Sequence, residues 1–195
     1  MKETAERLMD LAEAHIRNAG YGGFSFRDLA TEIGIKSASV HHYFPTKATM
    51  TAAVARRYGD RFFATVARRP NERAKDAISG YRSAFRAALD RDGRMCLCGV
   101  LGAEAGVLSP EVAEEIVSLF RRCIDDLSQR IGGPGAEARA FHVMAALEGR
   151  YDARQCLSVY RGVRPSGCES RIEVAAVLLI RVATSSLPAA MRARD

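Results

Sequence analysis

Apolar residues in this chain recur at three- and four-residue intervals from end to end, and nowhere alternate for any length as in a half-buried strand. A sequence with only the helical period restricts the fold to the all-α class. The first stripe is Leu8, Leu11, Ala12, His15, Ile16 and Ala19, stopped by Gly20. Ser25, with Asp28 three residues on, marks a capped short helix to Ile33. Gly34 breaks it, and Ser37 is expected to cap a second short helix to about Phe44. Pro45-Thr46-Lys47 opens a longer one with Met50, Ala53, Val54, Tyr58 and Phe62 on one face, ended by Pro70 near Arg69. The next runs from about Glu72 to Asp90, with Ala74, Ile78, Tyr81, Phe85 and Leu89 inward, and a shorter one from about Cys96 to Gly106. Ser109-Pro110-Glu111 is an N-cap, an N1 proline and an acidic first turn. Val112, Ile116, Leu119, Phe120, Cys123, Ile124 and Leu127 then form a long stripe. Gly132-Gly133-Pro134-Gly135 is the clearest break, before helices expected at Ala136–Ala153 and Ser170–Leu187.

Composition narrows the class further. At 195 residues, 48% hydrophobic and 27% charged, the chain can bury a core, which excludes wholesale disorder. The longest apolar run, Val174 to Ile180, falls far short of the roughly 20 residues that span a bilayer. Charges run through residues 1–20, so no secretion signal is expected there and the expected location is cytoplasmic. Five unevenly placed cysteines suggest no disulfide framework. The net charge of +6 permits an anionic partner.

Short helix, glycine turn, short helix is a helix-turn-helix arrangement. In Phe26–Phe44, Leu29, Ala30 and Ile33 face inward and Ile35 fills the corner. Val40 and Phe44, four apart, anchor the second helix. Its other face carries Ser37, Ala38, Ser39, His42 and Tyr43, small or hydrogen-bonding groups suited to close approach to bases and phosphates. The same pattern also fits a small helical turn with a polar face.

The run Gly23-Phe24-Ser25-Phe26-Arg27-Asp28-Leu29-Ala30, followed by Glu32-Ile33-Gly34-Ile35-Lys36-Ser37-Ala38-Ser39-Val40-His41-His42-Tyr43-Phe44-Pro45-Thr46-Lys47, resembles the DNA-binding domain of the TetR family of repressors. The resemblance implies a three-helix domain over residues 1–48 and a larger helical ligand-binding and dimerisation domain over 49–195. It implies a homodimer on palindromic double-stranded operator DNA, released by a small-molecule inducer. Carried over by position, Ser37, Ala38, Ser39 and His42 face bases. Arg27, Lys36, His41, Tyr43, Thr46 and Lys47 face phosphates, His41 standing where the family usually has Tyr. Thr46 and Lys47 fall in the first turn of a helix, whose free N–H groups favour a phosphate. Residues 1–60 hold eight Lys/Arg against seven Asp/Glu, so affinity depends on where the cations sit and on their doubling in a dimer.

Met95-Cys96-Leu97-Cys98-Gly99 is the most unusual stretch. Two thiols can bind a soft metal, but about four ligands are wanted. The others would come from Cys123, His142, Cys156 or Cys168 without recognisable spacing, so neither metal nor cofactor is expected. A thiol near a helix start gains thiolate character. With Leu101-Gly102-Ala103-Glu104, the stretch resembles a TetR branch that senses electrophiles such as unsaturated carbonyls, Cys96 matching the sensing position. Cys98 is expected on a different face. The alternative is that both are small core residues. Phe62, Tyr81 and Phe120 are spaced as core and are candidates to line a ligand cavity; Glu104, His142 and Glu148 are candidates to orient a polar ligand. There is no Ser-His-Asp order and no Gly-rich phosphate loop. A thiol enzyme using Cys96 and His142 would leave the helix-turn-helix unexplained, so no enzyme is expected.

The resemblance runs as far as Leu147-Glu148-Gly149 and stops at Arg150-Tyr151-Asp152-Ala153-Arg154-Gln155. One codon set for that hexapeptide, read one base later, gives Ala-Met-Met-Leu-Ala. Residues 150–195 are thus atypical, and compatible both with a shifted reading frame and with a divergent natural tail. Arg150, Arg154 and Arg161 fall where a dimer interface would want apolar groups.

Overall fold

The computed structural model describes residues 2–159, among which there are eight α-helices, two 3-10 turns and no strand. The helices are α1 (Lys2–Ala19), α2 (Phe26–Ile33), α3 (Ser37–Tyr43), α4 (Lys47–Thr65), α5 (Ala74–Asp92), α6 (Leu97–Ala103), α7 (Pro110–Ile131) and α8 (Ala136–Val159). The all-α reading holds, as do the helix-turn-helix and the larger helical region after it. α8 runs past the expected end at Ala153. The helix expected at Ser170–Leu187, and Arg161, lie outside the described residues.

Local chemistry accounts for the N-terminal boundaries. The Ser25 hydroxyl accepts from the Asp28 N–H at 3.2 Å while the Asp28 carboxylate accepts from the Ser25 N–H at 2.9 Å. This capping box satisfies two of the free donors of α2. At the other end Gly34 takes φ 74°, and the Gly34 and Ile35 N–H groups turn back to the carbonyls of Thr31 and Ala30. That closure leaves Lys36 extended as the cap residue of α3, so Ser37 is the first helical residue rather than the cap. Thr46 caps α4 through a second box with Thr49.

Other boundaries lie beside long-range contacts. α4 ends at Thr65, four residues before Arg69, and the Val66 carbonyl beyond it accepts from the Arg130 guanidinium of α7 at 2.8 Å. Arg130 also holds Glu72 and Asp126, fixing the connection into α5. α5 consequently buries Ala77, Tyr81, Ala84 and Phe85, a stripe rotated from the expected one; Ala74 and Ile78 are only half-buried. α6 stops at Ala103, and a 3-10 turn at Ala105–Val107 covers the rest of the predicted helix. Ser109 has the extended backbone of a cap, but its hydroxyl makes no capping bond.

Two apolar cores result. The first joins Leu8, Ala12 and Ile16 of α1 to Leu29 and Val40, and extends to Met50 and Val54 of α4, Leu97 and Leu101 of α6, and Val112 and Ile116 of α7. It therefore runs across residue 48. The second holds Val66, Tyr81, Phe85, Cys96, Cys98, Leu119, Cys123, Leu127, Ala140 and Met144. α6 contributes to both cores, with Cys98 in the second and Leu97 and Leu101 in the first.

Candidate functional site

α3 is seated by Val40, fully buried, and by Phe44 after its end. Its outer side presents Ser37, Ala38, His41 and His42 to solvent, with Ser39 and Tyr43 half-buried. Arg27, Lys36 and Thr46 are exposed around it. His41 donates from Nδ1 to the Pro45 carbonyl at 3.2 Å and meets the Phe26 ring edge-on at 4.8 Å, which fixes its ring. Lys47 is held more firmly than an open phosphate ligand. Its ammonium donates to the Phe24 carbonyl at 2.7 Å and lies 4.5 Å from the Phe24 ring and 5.0 Å from the Tyr21 ring. Burial holds its pKa below the usual lysine value.

A cavity of about 30 Å³ lies between α4, α5, α7 and α8 at the start of α6. Cys96, Cys98, Phe62 and Phe120, all singled out in the sequence, line it, together with Tyr58, Cys123 and Glu148. That volume accepts one or two waters. It is far below the roughly 300 Å³ and more of a drug-sized ligand site.

Cys96 is the hub. It is the cap residue of α6 and 6% exposed. The Tyr58 hydroxyl donates toward its Sγ at 3.7 Å, and Sγ reaches Glu148 Oε1 at 3.5 Å. Glu148 is itself 4% exposed. Its carboxylate lies against Gly99, where a Cβ would come within 2.8 Å of Oε2, so a larger residue there would require the carboxylate to shift. The Cys96 thiol is drawn down to about 6, first by the hydrogen bond from the Cys98 thiol. Bonds from the Gly99 and Cys98 N–H groups and the Tyr58 hydroxyl add to this, against burial. The same bond, with burial, pushes Cys98 up. Burial keeps Cys123 and Tyr58 protonated. Cys98 is thus no separate face: it lines the same cavity and bonds to Cys96.

The other candidates lie elsewhere. Tyr81 backs the cavity, its ring 5.4 Å from that of Phe62, and its hydroxyl donates to Asp126 at 2.7 Å. Glu104 is outside the cavity and accepts the Tyr21 N–H at 2.6 Å. His142 is exposed on α8, so it does not join Cys96. Among the described residues no group of three His, Cys, Asp or Glu side chains is placed to hold a metal; Cys156 has no described side chain and Cys168 lies outside the described residues. The partners that sequence reasoning did not join to Cys96 are Tyr58 and Glu148. They lie 38 and 52 positions away, so no local spacing links them.

Both ends of α6 are tied to the N-terminal helices. Arg17, 3% exposed in the last turn of α1, donates to the Met95 carbonyl at 2.7 Å and to the Arg94 carbonyl at 3.2 Å. Met95 directly precedes Cys96. At the far end, Glu104 holds the Tyr21 N–H, and Tyr21 carries Lys47 over its ring. Contacts thus link the segment before Cys96 to α1, and the end of α6 through Tyr21 to Lys47, the first residue of α4.

Residues 8–54 match the family of bacterial regulatory proteins designated tetR. No curated protein matches the chain at a significant level. Among solved structures, the fold is similar to that of a TetR transcriptional regulator from Legionella pneumophila, at 23% identity and a TM-score of 0.74, covering 91% of this chain and 95% of that one. A TetR-family transcriptional regulator from Agrobacterium tumefaciens is similar at 22% identity and 0.71, over 92% and 97%. The reduced form of NemR from E. coli is similar at 19% identity and 0.66, over 89% and 95%. No helix among the described residues is long and apolar enough to cross a membrane. The chain thus carries a tetR-type domain over residues 8–54 and has the all-helical fold of these regulators.

Proposed function

We propose that the protein is a ligand-responsive transcriptional repressor. Residues 1–48 bind a palindromic operator, residues 49–195 bind the effector and form a homodimer, and a small molecule releases the DNA. Ser37, Ala38, Ser39 and His42 read bases. Arg27, Lys36, His41, Tyr43, Thr46 and Lys47 meet phosphates. The observation that carries this reading is the double attachment of α6, through Arg17 to Met95 and through Glu104 to Tyr21, which joins the cavity to the DNA-binding helices. A ligand shifts an equilibrium only by its differential affinity for the two states. In the state described, the cavity is too small for most ligands, so an effector that fills it favours an expanded state in which α6 has moved. One duplex fixes the spacing of two recognition helices, so movement of α6 in each protomer disturbs both half-sites together. Selection of binding sites from random duplexes tests the reading. A palindrome bound with steep salt dependence supports it, and sequence-indifferent binding overturns it.

A specific observation favours a second, sharper reading of the effector. Cys96 is the one thiol of the cavity held toward the thiolate, and thiolate is the nucleophile. On this reading the small molecule is an electrophile that adds to Cys96, and the adduct overfills the cavity. A DNA-release response that survives in Cys96→Ser overturns it in favour of a reversible ligand.

A further inference from the structure

Cys96 and Glu148 face each other across a site with almost no room for solvent. Sγ and Oε1 are 3.5 Å apart, both residues are buried, and the free volume beside them is about 30 Å³. The remaining walls include the apolar Phe62, Leu119 and Phe120. The thiol is placed to pass its proton to the Glu148 carboxylate. With Glu148 ionised, losing that proton to solvent places two anions side by side in a buried site, a cost set against the hydrogen bonds to Cys96. Passing it from sulfur to the carboxylate leaves the charge of the site unchanged. Among the described residues no other neighbour is placed to take it. Cys98 and Tyr58 donate to Cys96, and both are held protonated, as is Cys123.

We propose that Glu148 takes the Cys96 proton and gives it back to the product, so that the pair selects small uncharged electrophiles that take up sulfur and proton together. This rests on the thiol reading above. With an α,β-unsaturated carbonyl compound the step balances. The Cys96 proton moves to Glu148, and the sulfur forms a bond to the β-carbon. The carbon–carbon π pair shifts toward the carbonyl as an enolate, and the Glu148 proton is delivered to the α-carbon. The product is a neutral thioether, and Glu148 is again a carboxylate. The Tyr58 hydroxyl, already aimed at Sγ, is available to the carbonyl oxygen while it carries charge. Alkylation by displacement lacks this economy: it leaves the proton on Glu148 and a halide anion to be expelled from a buried site. Addition is therefore favoured over substitution, and acceptors of a few heavy atoms over large ones.

The test compares acrolein, which adds, with iodoacetamide, which displaces, on the full chain. Adducts at Cys96 are followed by intact mass and peptide mapping in the wild type, Glu148→Gln, Glu148→Asp and Cys96→Ser. Positioned proton transfer contributes on the order of a hundredfold or more. The acrolein-to-iodoacetamide rate ratio at Cys96 is expected to fall at least about tenfold in Glu148→Gln and to recover in part in Glu148→Asp. A ratio unchanged in Glu148→Gln overturns the proposal alone. Absence of any acrolein adduct at Cys96 in the wild type overturns the thiol reading beneath it. If Glu148→Gln does not fold, the wild type decides. Acrolein addition slowed in heavy water by more than iodoacetamide displacement supports return of the proton to the product, and equal effects on both overturn it.

Discussion

Replacing Cys96 with Phe should weaken operator binding from a distance. The thiol borders about 30 Å³ of free space, and an aromatic ring demands several times the volume of the sulfur it replaces. Overpacking a well-filled core costs about 1–3 kcal/mol. The backbone at Cys96 is extended, φ −59° and ψ 129°, and admits Phe without strain, so the cost arises in the packing. The direct relief is an outward shift of α6, which pulls on Arg17 through Met95 and on Tyr21 through Glu104. If that strain is relieved on leaving the DNA-bound arrangement, operator affinity falls roughly 5- to 150-fold, at about 1.4 kcal/mol per tenfold. Melting temperature should drop by about 2–4 °C per kcal/mol of strain retained. The assay is fluorescence anisotropy on a selected operator, with Cys96→Ser as the comparison of near-native volume. In an Arg17→Met background, which keeps the side-chain stem but loses the bonds to Met95 and Arg94, the effect of Cys96→Phe should shrink, because coupled sites are not additive. A folded Cys96→Phe chain with unchanged operator affinity refutes the coupling. So does an equal loss with Arg17 removed.

Three further outcomes follow from individual contacts. Lys47→Ala should weaken binding to all sequences alike and flatten the salt dependence by about one unit per site, whereas His42→Ala should change sequence preference at one position; titrations over a salt series on matched and mismatched duplexes separate the two. The ultraviolet absorbance of the Cys96 thiolate should appear near pH 6, and Cys98→Ala should raise that midpoint by removing the largest contribution to it. Because the folded pKa lies below the ordinary thiol value of 9.0, the associated stability is present above about pH 9 and is lost as pH falls through 6, so Cys96→Ser should cost more stability at alkaline pH than at acid pH. Arg130→Met should destabilise by about 3–5 kcal/mol, seen in denaturant unfolding, because it strands the buried carboxylate of Glu72 and the Val66 carbonyl.

Much of the N-terminal domain was legible because its signals are local. Ser25 and Asp28 lie three apart and cap each other, and Gly34 adopts the left-handed turn that only its lack of a Cβ makes easy. Ser37 misled for a physical reason: the closure through Gly34 and Ile35 sets where α3 starts, and it needs no hydroxyl. The end of α4 was less legible: Pro70 is a strong local stop, yet the helix ends at Thr65, and the Val66 carbonyl beyond it pairs with Arg130, 64 positions away. The candidate site divides in the same way. Cys96 and Cys98 stand out by their spacing, and Phe62 and Phe120 by their stripes. That Glu148 and Tyr58 converge on Cys96 depends on how α4 and α8 pack around α6. Glu104 looked like a ligand group because it is a carboxylate in an apolar stretch; its partner is the Tyr21 backbone, which no side-chain pattern reveals.

Thermodynamic coupling between the Cys96 cavity and the DNA-binding helices is the centre of this account. It is measured most directly as the operator dissociation constant of one preparation before and after a single acrolein adduct at Cys96, with Cys96→Ser treated identically. The account predicts at least about fivefold weaker binding for the adduct and no change for Cys96→Ser. A chain fully modified at Cys96 that binds its operator as tightly as before would contradict it.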